Sequence, residues 1–287
     1  MAKPWPGRNS DISLAVIWLV TGTHAARTRA ARAVSAGALR VPEITVYFWV
    51  IKALSTAMGE STSDYLVHVM NPVLAVGIGF IGFLIALALQ FSRRRYLAWT
   101  YWFAVVMVGV FGTMAADVLH VGFGVPYIVS SALYAALLAA VFISWQRTER
   151  TLSIHAISTA RREAFYWATV VATFAMGTAL GDMTATTLHL GYGYSILLFA
   201  VIIVIPAAGY RWLHWNSVAS FWFAYVVTRP LGASFADFMG KPVTAGGMGL
   251  GDGTMALILT IAIAGLVAFL AVTRRDAQGS LARAAEY

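Results

Sequence analysis

The sequence predicts an all-α integral membrane protein, with eight transmembrane helices forming four tandem parallel hairpins in a pseudo-symmetric bundle. Three observations predict it. Of the 287 residues, 60% are hydrophobic and only 11% charged, where soluble domains carry about 25% charge. Eight apolar stretches are each long enough to cross ~30 Å of hydrocarbon. One pattern recurs four times: a tryptophan, a glycine ten residues later and an aspartate fifteen residues later.

Residues 1–40 come first and stand apart. The apolar run 12–20 is too short to span a bilayer. It is followed by Arg27, Arg29, Arg32 and Arg40. The stretch reads as a basic, cytoplasmic arm, either lying on anionic lipid or left over from targeting.

The eight apolar segments follow at about 44–66, 72–91, 98–119, 125–145, 163–188, 193–212, 217–239 and 254–273. They set a membrane domain over 41–275, with repeats at about 41–92, 96–146, 161–212 and 216–274 and a cytoplasmic tail at 276–287. Segments two, four, six and eight are mostly Ala, Leu, Ile, Val and Gly. Segments one, three, five and seven carry the polar residues. The loops alternate in charge. One set holds Arg93, Arg94, Arg95, Arg147, Arg150, Arg161, Arg162, Arg211, Arg274 and Arg275; the other holds Lys241 as its single base. Basic loops stay cytoplasmic, so a multi-pass protein with both termini in the cytoplasm is expected. The net charge of +8 follows from these loops and needs no nucleic acid.

The odd segments align without gaps as Trp49, Gly59 and Asp64; Trp102, Gly112 and Asp117; Trp167, Gly177 and Asp182; and Trp222, Gly232 and Asp237. Fifteen helical residues rise about 22 Å. Each tryptophan is therefore placed at the cytoplasmic interface as a belt or packing residue, and each aspartate towards the outer side. Parallel repeats would let the four aspartates surround a common axis, and the glycines would let neighbouring helices approach closely.

Val41-Pro42-Glu43 with Phe48-Trp49, Gly59-Glu60-Ser61 with Asp64, Gly181-Asp182-Met183-Thr184 and Arg229-Pro230-Leu231-Gly232-Ala233-Ser234 resemble a family of bacterial membrane proteins. Its members are built from four tandem copies of a two-helix repeat of unknown function. The resemblance covers residues 41 to about 273. It implies the topology and a bacterial cytoplasmic (inner) membrane, and implies nothing about activity.

Carboxylates inside a membrane are costly and mark functional sites by default. Glu60, Asp64, Asp117, Asp182 and Asp237 face only Lys52 and Arg229 in the spans, a balance of −3 that favours a cation or proton. With Thr113 and Thr178 they form a substrate or ion site suited to a hard divalent ion such as manganese. The structural alternative is that each aspartate caps a helix or bonds a neighbouring hairpin. Lys52 and Arg229 read as charge-pairing or gating residues, or as side chains snorkelling to the interface. Arg229-Pro230 is expected to break the hydrogen-bond ladder of segment seven and kink it. His68, His120 and His189 are candidates for metal or proton binding, or for interfacial hydrogen bonding. The stretch 246–252 is glycine-rich but lacks the lysine and hydroxyl of a phosphate loop. It reads as a flexible or re-entrant loop.

The chain has no cysteine, which excludes disulfides and thiolate metal sites. It carries no nucleotide or hydrolase motif, so an enzyme is not expected. The expected function is a secondary transporter exchanging a small cation with protons. The metal would be substrate, with no resident cofactor, and the oligomeric state is left open. The alternative is a membrane sensor that holds a lipid or hydrophobic ligand.

Overall fold

The computed structural model describes residues 39–276. The predicted basic arm, apart from its last two residues, and the tail beyond 276 lie outside the described residues. Among the described residues eight long helices form: α1 (Val46–Val69), α2 (Pro72–Ser92), α3 (Ala98–Asp117), α4 (Tyr127–Glu149), α5 (Ala160–Asp182), α6 (Gly191–Trp212), α7 (Ser217–Gly240) and α8 (Asp252–Thr273). No strand occurs among the described residues.

Local chemistry sets several boundaries. Thr45 caps α1, its hydroxyl accepting from Phe48 N. Asn71 accepts from Val73 N and Leu74 N, with Pro72 opening α2. Asn216 does the same for Val218 N and Ala219 N at the start of α7. Such caps satisfy amides that have no partner inside the helix. α3 and α5 each run on beyond the repeat's aspartate as a π-helical turn, Val118–Gly122 and Met183–Thr187. α7 continues as one helix through Pro230, which removes one amide donor from its ladder without ending the helix.

The odd helices form a closed inner ring, α1 against α3, α3 against α5, α5 against α7 and α7 against α1. Each even helix leaves its own hairpin partner and packs chiefly on the next odd helix: α2 on α3, α4 on α5, α6 on α7, and α8 back on α1. The even helices are the outer layer. The most apolar stretch of α6 is 17% buried, that of α5 72%.

The ring repeats in atomic detail. A Cβ added to Gly59 would lie 2.7 Å from Gly109, and one added to Gly112 2.8 Å from Phe174. Gly177 meets Arg229 and Gly232 meets Thr56 in the same way. At every interface the glycine ten residues past one tryptophan faces the residue seven past the next. A second layer repeats likewise. The aromatic residue before each tryptophan packs on the following tryptophan: Phe48 on Trp102 at 5.7 Å, Tyr101 on Trp167 at 5.6 Å, Tyr166 on Trp222 at 6.1 Å and Phe221 on Trp49 at 5.7 Å. Two constant registers, around four interfaces, require parallel odd helices about one pseudo-fourfold axis.

Among the described residues, six helices are long and apolar enough to cross a membrane: α2 to α6, and α8. α1 and α7 are as long, 24 residues each, but less apolar. They carry Lys52, Glu60 and Asp64, and Arg229 and Asp237. These charges face the ring, which excuses α1 and α7 from the all-round hydrophobicity that lipid demands.

At the tryptophan end the loops are tied together. Arg40 meets Glu163 at 2.5 Å, and Gln90 Nε2 donates to the same carboxylate at 2.8 Å. Glu43 N donates to Asp276 O at 2.9 Å, and Tyr96 donates through its hydroxyl to the Asp276 carboxylate.

Candidate functional site

The axis of the ring is filled with polar groups in layers, because the +3, +7, +11 and +15 positions after each tryptophan stay near one helix face. Seven residues past the tryptophans stand Thr56, Gly109, Phe174 and Arg229. One copy thus has a hydroxyl, one nothing, one a ring and one a guanidinium. The backbone symmetry holds while the chemistry at this level is different in every copy.

Arg229 uses the space that Gly177 leaves, where an added Cβ would meet its side chain at 2.3 Å. Its guanidinium is fully buried. Nη2 donates to Glu60 Oε2 at 2.6 Å, to Thr178 Oγ1 at 2.6 Å and to Thr113 Oγ1; Nη1 donates to Thr56 O at 2.8 Å. Glu60, Thr113 and Thr178 occupy the same +11 position of repeats one, two and three, and Ala233 fills it in repeat four. One cation therefore lies on the axis, bonded to all three other repeats. The threonine hydroxyls also reach Glu60 Oε2, at 3.4 Å from Thr113 and 3.3 Å from Thr178. A buried ion pair is tolerable when further hydrogen bonds satisfy its remaining groups; the hydroxyls serve Nη2 and Glu60 Oε2, while Arg229 Nε has no partner among the described residues.

Towards the tryptophan end, Lys52 is 1% exposed and does not snorkel. Its Nζ has no hydrogen-bond partner among the described residues. It lies 4.3 Å from the ring centroids of both Phe174 and Tyr225. The Arg229 guanidinium sits 5.0 Å from the same Phe174 ring. Two cations thus share one aromatic ring.

Towards the aspartate end, Glu60, Asp64 and Asp237 each bring a carboxylate oxygen to within 4.8 Å of the others. Lys241, just past α7, bonds Asp64 Oδ2 and stands 3.8 Å from Asp237 and 3.9 Å from Asp252. Burial disfavours the Lys241 ammonium, but the charges of Asp64, Asp237 and Asp252 and the Asp64 hydrogen bond outweigh it and hold its pKa well above the ordinary lysine value.

The structure unites Glu60, Thr113, Thr178 and Arg229 in one network, and Asp64 and Asp237 with Glu60 in a second. Asp117 and Asp182 are half-buried at the start of the two π-helical turns. They make no ion pair among the described residues, and their side chains cap no helix. The histidines stay outside both networks. His68 is bonded to Asp64 O at 2.6 Å; His120 is bonded to Val125 O and stacked on Tyr127; His189 is exposed with φ of 55°. His120 lies within its π-helical turn and His189 beyond the other, so the two are not equivalent. Trp102, Trp167 and Trp222 are buried and Trp49 half-buried. They pack between helices rather than forming a lipid-facing belt. Sequence reasoning missed the role of Lys241, whose signal was its isolation as the lone base of the aspartate-end loops.

A family model described as a repeat of unknown function, DUF347, matches the chain four times, at residues 47–96, 100–151, 165–214 and 220–276. Each match holds one inner and one outer helix. No curated protein and no solved structure matches the chain.

Proposed function

The chain belongs to the DUF347 repeat family, and from that premise we propose that it is a secondary transporter of a small cation, a divalent metal such as manganese, exchanged with protons. All eight helices cross the bacterial cytoplasmic membrane in this reading. Both termini, and the tryptophan end, face the cytoplasm, and the aspartate end faces outward.

The observation that carries the reading is the continuity of oxygen donors along the pseudo-axis. Asp64 and Asp237 lead to Glu60, and Glu60 leads to Thr113 and Thr178. Carboxylates and hydroxyls are the ligands of hard cations. Arg229 and Lys241 hold the carboxylates while no substrate does. The metal takes their oxygens, and protonation of the same oxygens expels it. Competition for one ligand set is a sufficient coupling, and no nucleotide is needed.

The test is flux in proteoliposomes that enclose a manganese-quenched dye, with a pH gradient imposed. Manganese movement coupled to proton counterflow, abolished by Glu60→Gln, is expected. Absence of flux for manganese, magnesium and monovalent cations alike would sink the reading.

A second reading is a lipid sensor. A shallow, wholly apolar groove along α6 at Ala200, Val201, Val204, Ile205 and Ala208 suits an acyl chain. It lies on the outer layer and offers no role to the buried charges, so it ranks second.

A further inference from the structure

Lys241 stands where the carboxylates of three helices converge. α1 supplies Asp64, α7 supplies Asp237 and the first turn of α8 supplies Asp252. Two of the three, Asp64 and Asp237, also belong to the close carboxylate group with Glu60. The cluster is therefore a cup already holding an ammonium ion, one that the chain itself provides. A free cation cannot take the Asp64 oxygen while the lysine keeps it.

The backbone around Lys241 is tied down by hydrogen bonds. Residues 241–251 double back over the end of α7 as a strap. Met248 N donates to Phe238 O at 2.7 Å, Leu250 N to Met239 O at 3.0 Å, Gly249 N to Lys241 O at 2.9 Å and Gly251 N to Gly240 O at 3.1 Å. Gly246, Gly249 and Gly251, at φ of 86°, 77° and 82°, make the return with a conformation open to few other residues. The Lys241 side chain is 21% exposed on a flexible four-carbon stem, so it has a way out to solvent that leaves the strap in place.

We propose that Lys241 is a tethered counter-cation that closes the carboxylate cup at rest, and that a small cation enters only by displacing it. The proposal rests on the cation reading above for its ligand and adds the residue that controls entry. Charge gives the exchange a direction. Glu60, Asp64, Asp237 and Asp252 face Arg229 and Lys241, a residual charge of −2. A divalent ion in place of the ammonium lowers that to −1, whereas a monovalent ion changes nothing. The cup therefore exchanges its lysine more readily for a divalent ion.

The experiment uses the purified full-length protein with manganese chloride as probe. Binding is read by thermal shift in wild type, Lys241→Gln and Lys241→Arg. In parallel, acylation of Lys241 by acetic anhydride is quantified by mass spectrometry with and without manganese. The proposal expects Lys241→Gln to bind manganese at least about tenfold more tightly than wild type, because the competing charge is gone. It expects Lys241→Arg to stay within a few-fold of wild type. Lys241 acylation in wild type should rise severalfold when manganese is present. Equal binding by wild type and Lys241→Gln, or acylation that manganese leaves unchanged or lowers, would overturn the proposal while the cation reading stood. No binding to either protein would overturn both. Tighter binding by Lys241→Gln with no flux in liposomes would leave the tethered lysine standing and remove transport. The acylation measurement needs no variant, so a poorly folding Lys241→Gln does not rescue the idea.

Discussion

The guanidinium of Arg229 on α7 lies 2.6 Å from the carboxylate of Glu60 on α1, and both residues are buried. Between them they join the last repeat to the first, and the threonines of the middle two repeats complete the shell. Each partner exists at that depth because the other does.

Removing either partner should therefore be severe. Glu60→Gln and Arg229→Gln are each expected to destabilise the protein by about 3–5 kcal/mol, by stranding a buried charge. The double variant should lose less than the sum of the two. Thermal melts of the detergent-solubilised proteins form the cycle. Strict additivity would show that the pair is not coupled. Arg229→Lys should resemble Arg229→Gln, since an ammonium cannot span Glu60, Thr113 and Thr178 with one planar fork.

Lys52 should behave in the opposite way. Its ammonium is buried with aromatic faces and no hydrogen-bond acceptor, and burying a charge so poorly served is costly. Lys52→Met keeps the stem and removes the charge. It is expected to leave the melting temperature unchanged or raise it, while abolishing flux if Lys52 takes part in the proton step. A loss as large as that of Arg229→Gln would show that the two cations play the same structural part.

The close helix crossings give a third prediction. Gly59→Ala should cost about 1–3 kcal/mol by overpacking, because its Cβ would meet Gly109 backbone at 2.7 Å. Gly77→Ala and Gly265→Ala have nothing within 4 Å and should be neutral or stabilising, by up to about 1 kcal/mol, from helix propensity. Melting temperatures of the three variants decide it.

Asp276 sets a pH dependence. It is 2% exposed, and burial raises its pKa above the ordinary aspartate value, with the Tyr96 hydrogen bond opposing. The folded protein then holds this proton more tightly than the unfolded chain. Its contribution is most favourable below about pH 3.9, falls as pH rises to the folded pKa, and is constant above it. Asp276→Asn should therefore raise the melting temperature at neutral pH, with the gain shrinking towards pH 4. A gain that grows on acidification would reverse the assignment.

The fourfold repeat was legible because tryptophan, glycine and aspartate keep their spacing. The division into polar inner and apolar outer helices was legible because lipid and helix contacts demand different residues. Glu60, Thr113 and Thr178 could be grouped from their shared helix face. What spacing cannot show is which neighbour a face meets, so the crossing of each outer helix to the next repeat was invisible. The depth of Lys52 was also hidden, since a lysine three residues past an interfacial tryptophan is free to snorkel unless a ring of helices encloses it. Lys241 escaped because it lies outside the repeat's aligned core.

The offset packing, each outer helix on the following inner one and α8 on α1, has a consequence for synthesis. No partial chain contains a finished unit. With all eight helices in the membrane, as proposed, α1 enters it carrying Lys52, Glu60 and Asp64, while the arginine that matches Glu60 is 169 residues further along. Until α7 is made, α1 is a poor membrane segment with an unmatched acid. On that reading, biogenesis depends on keeping α1 out of open lipid until α7 arrives.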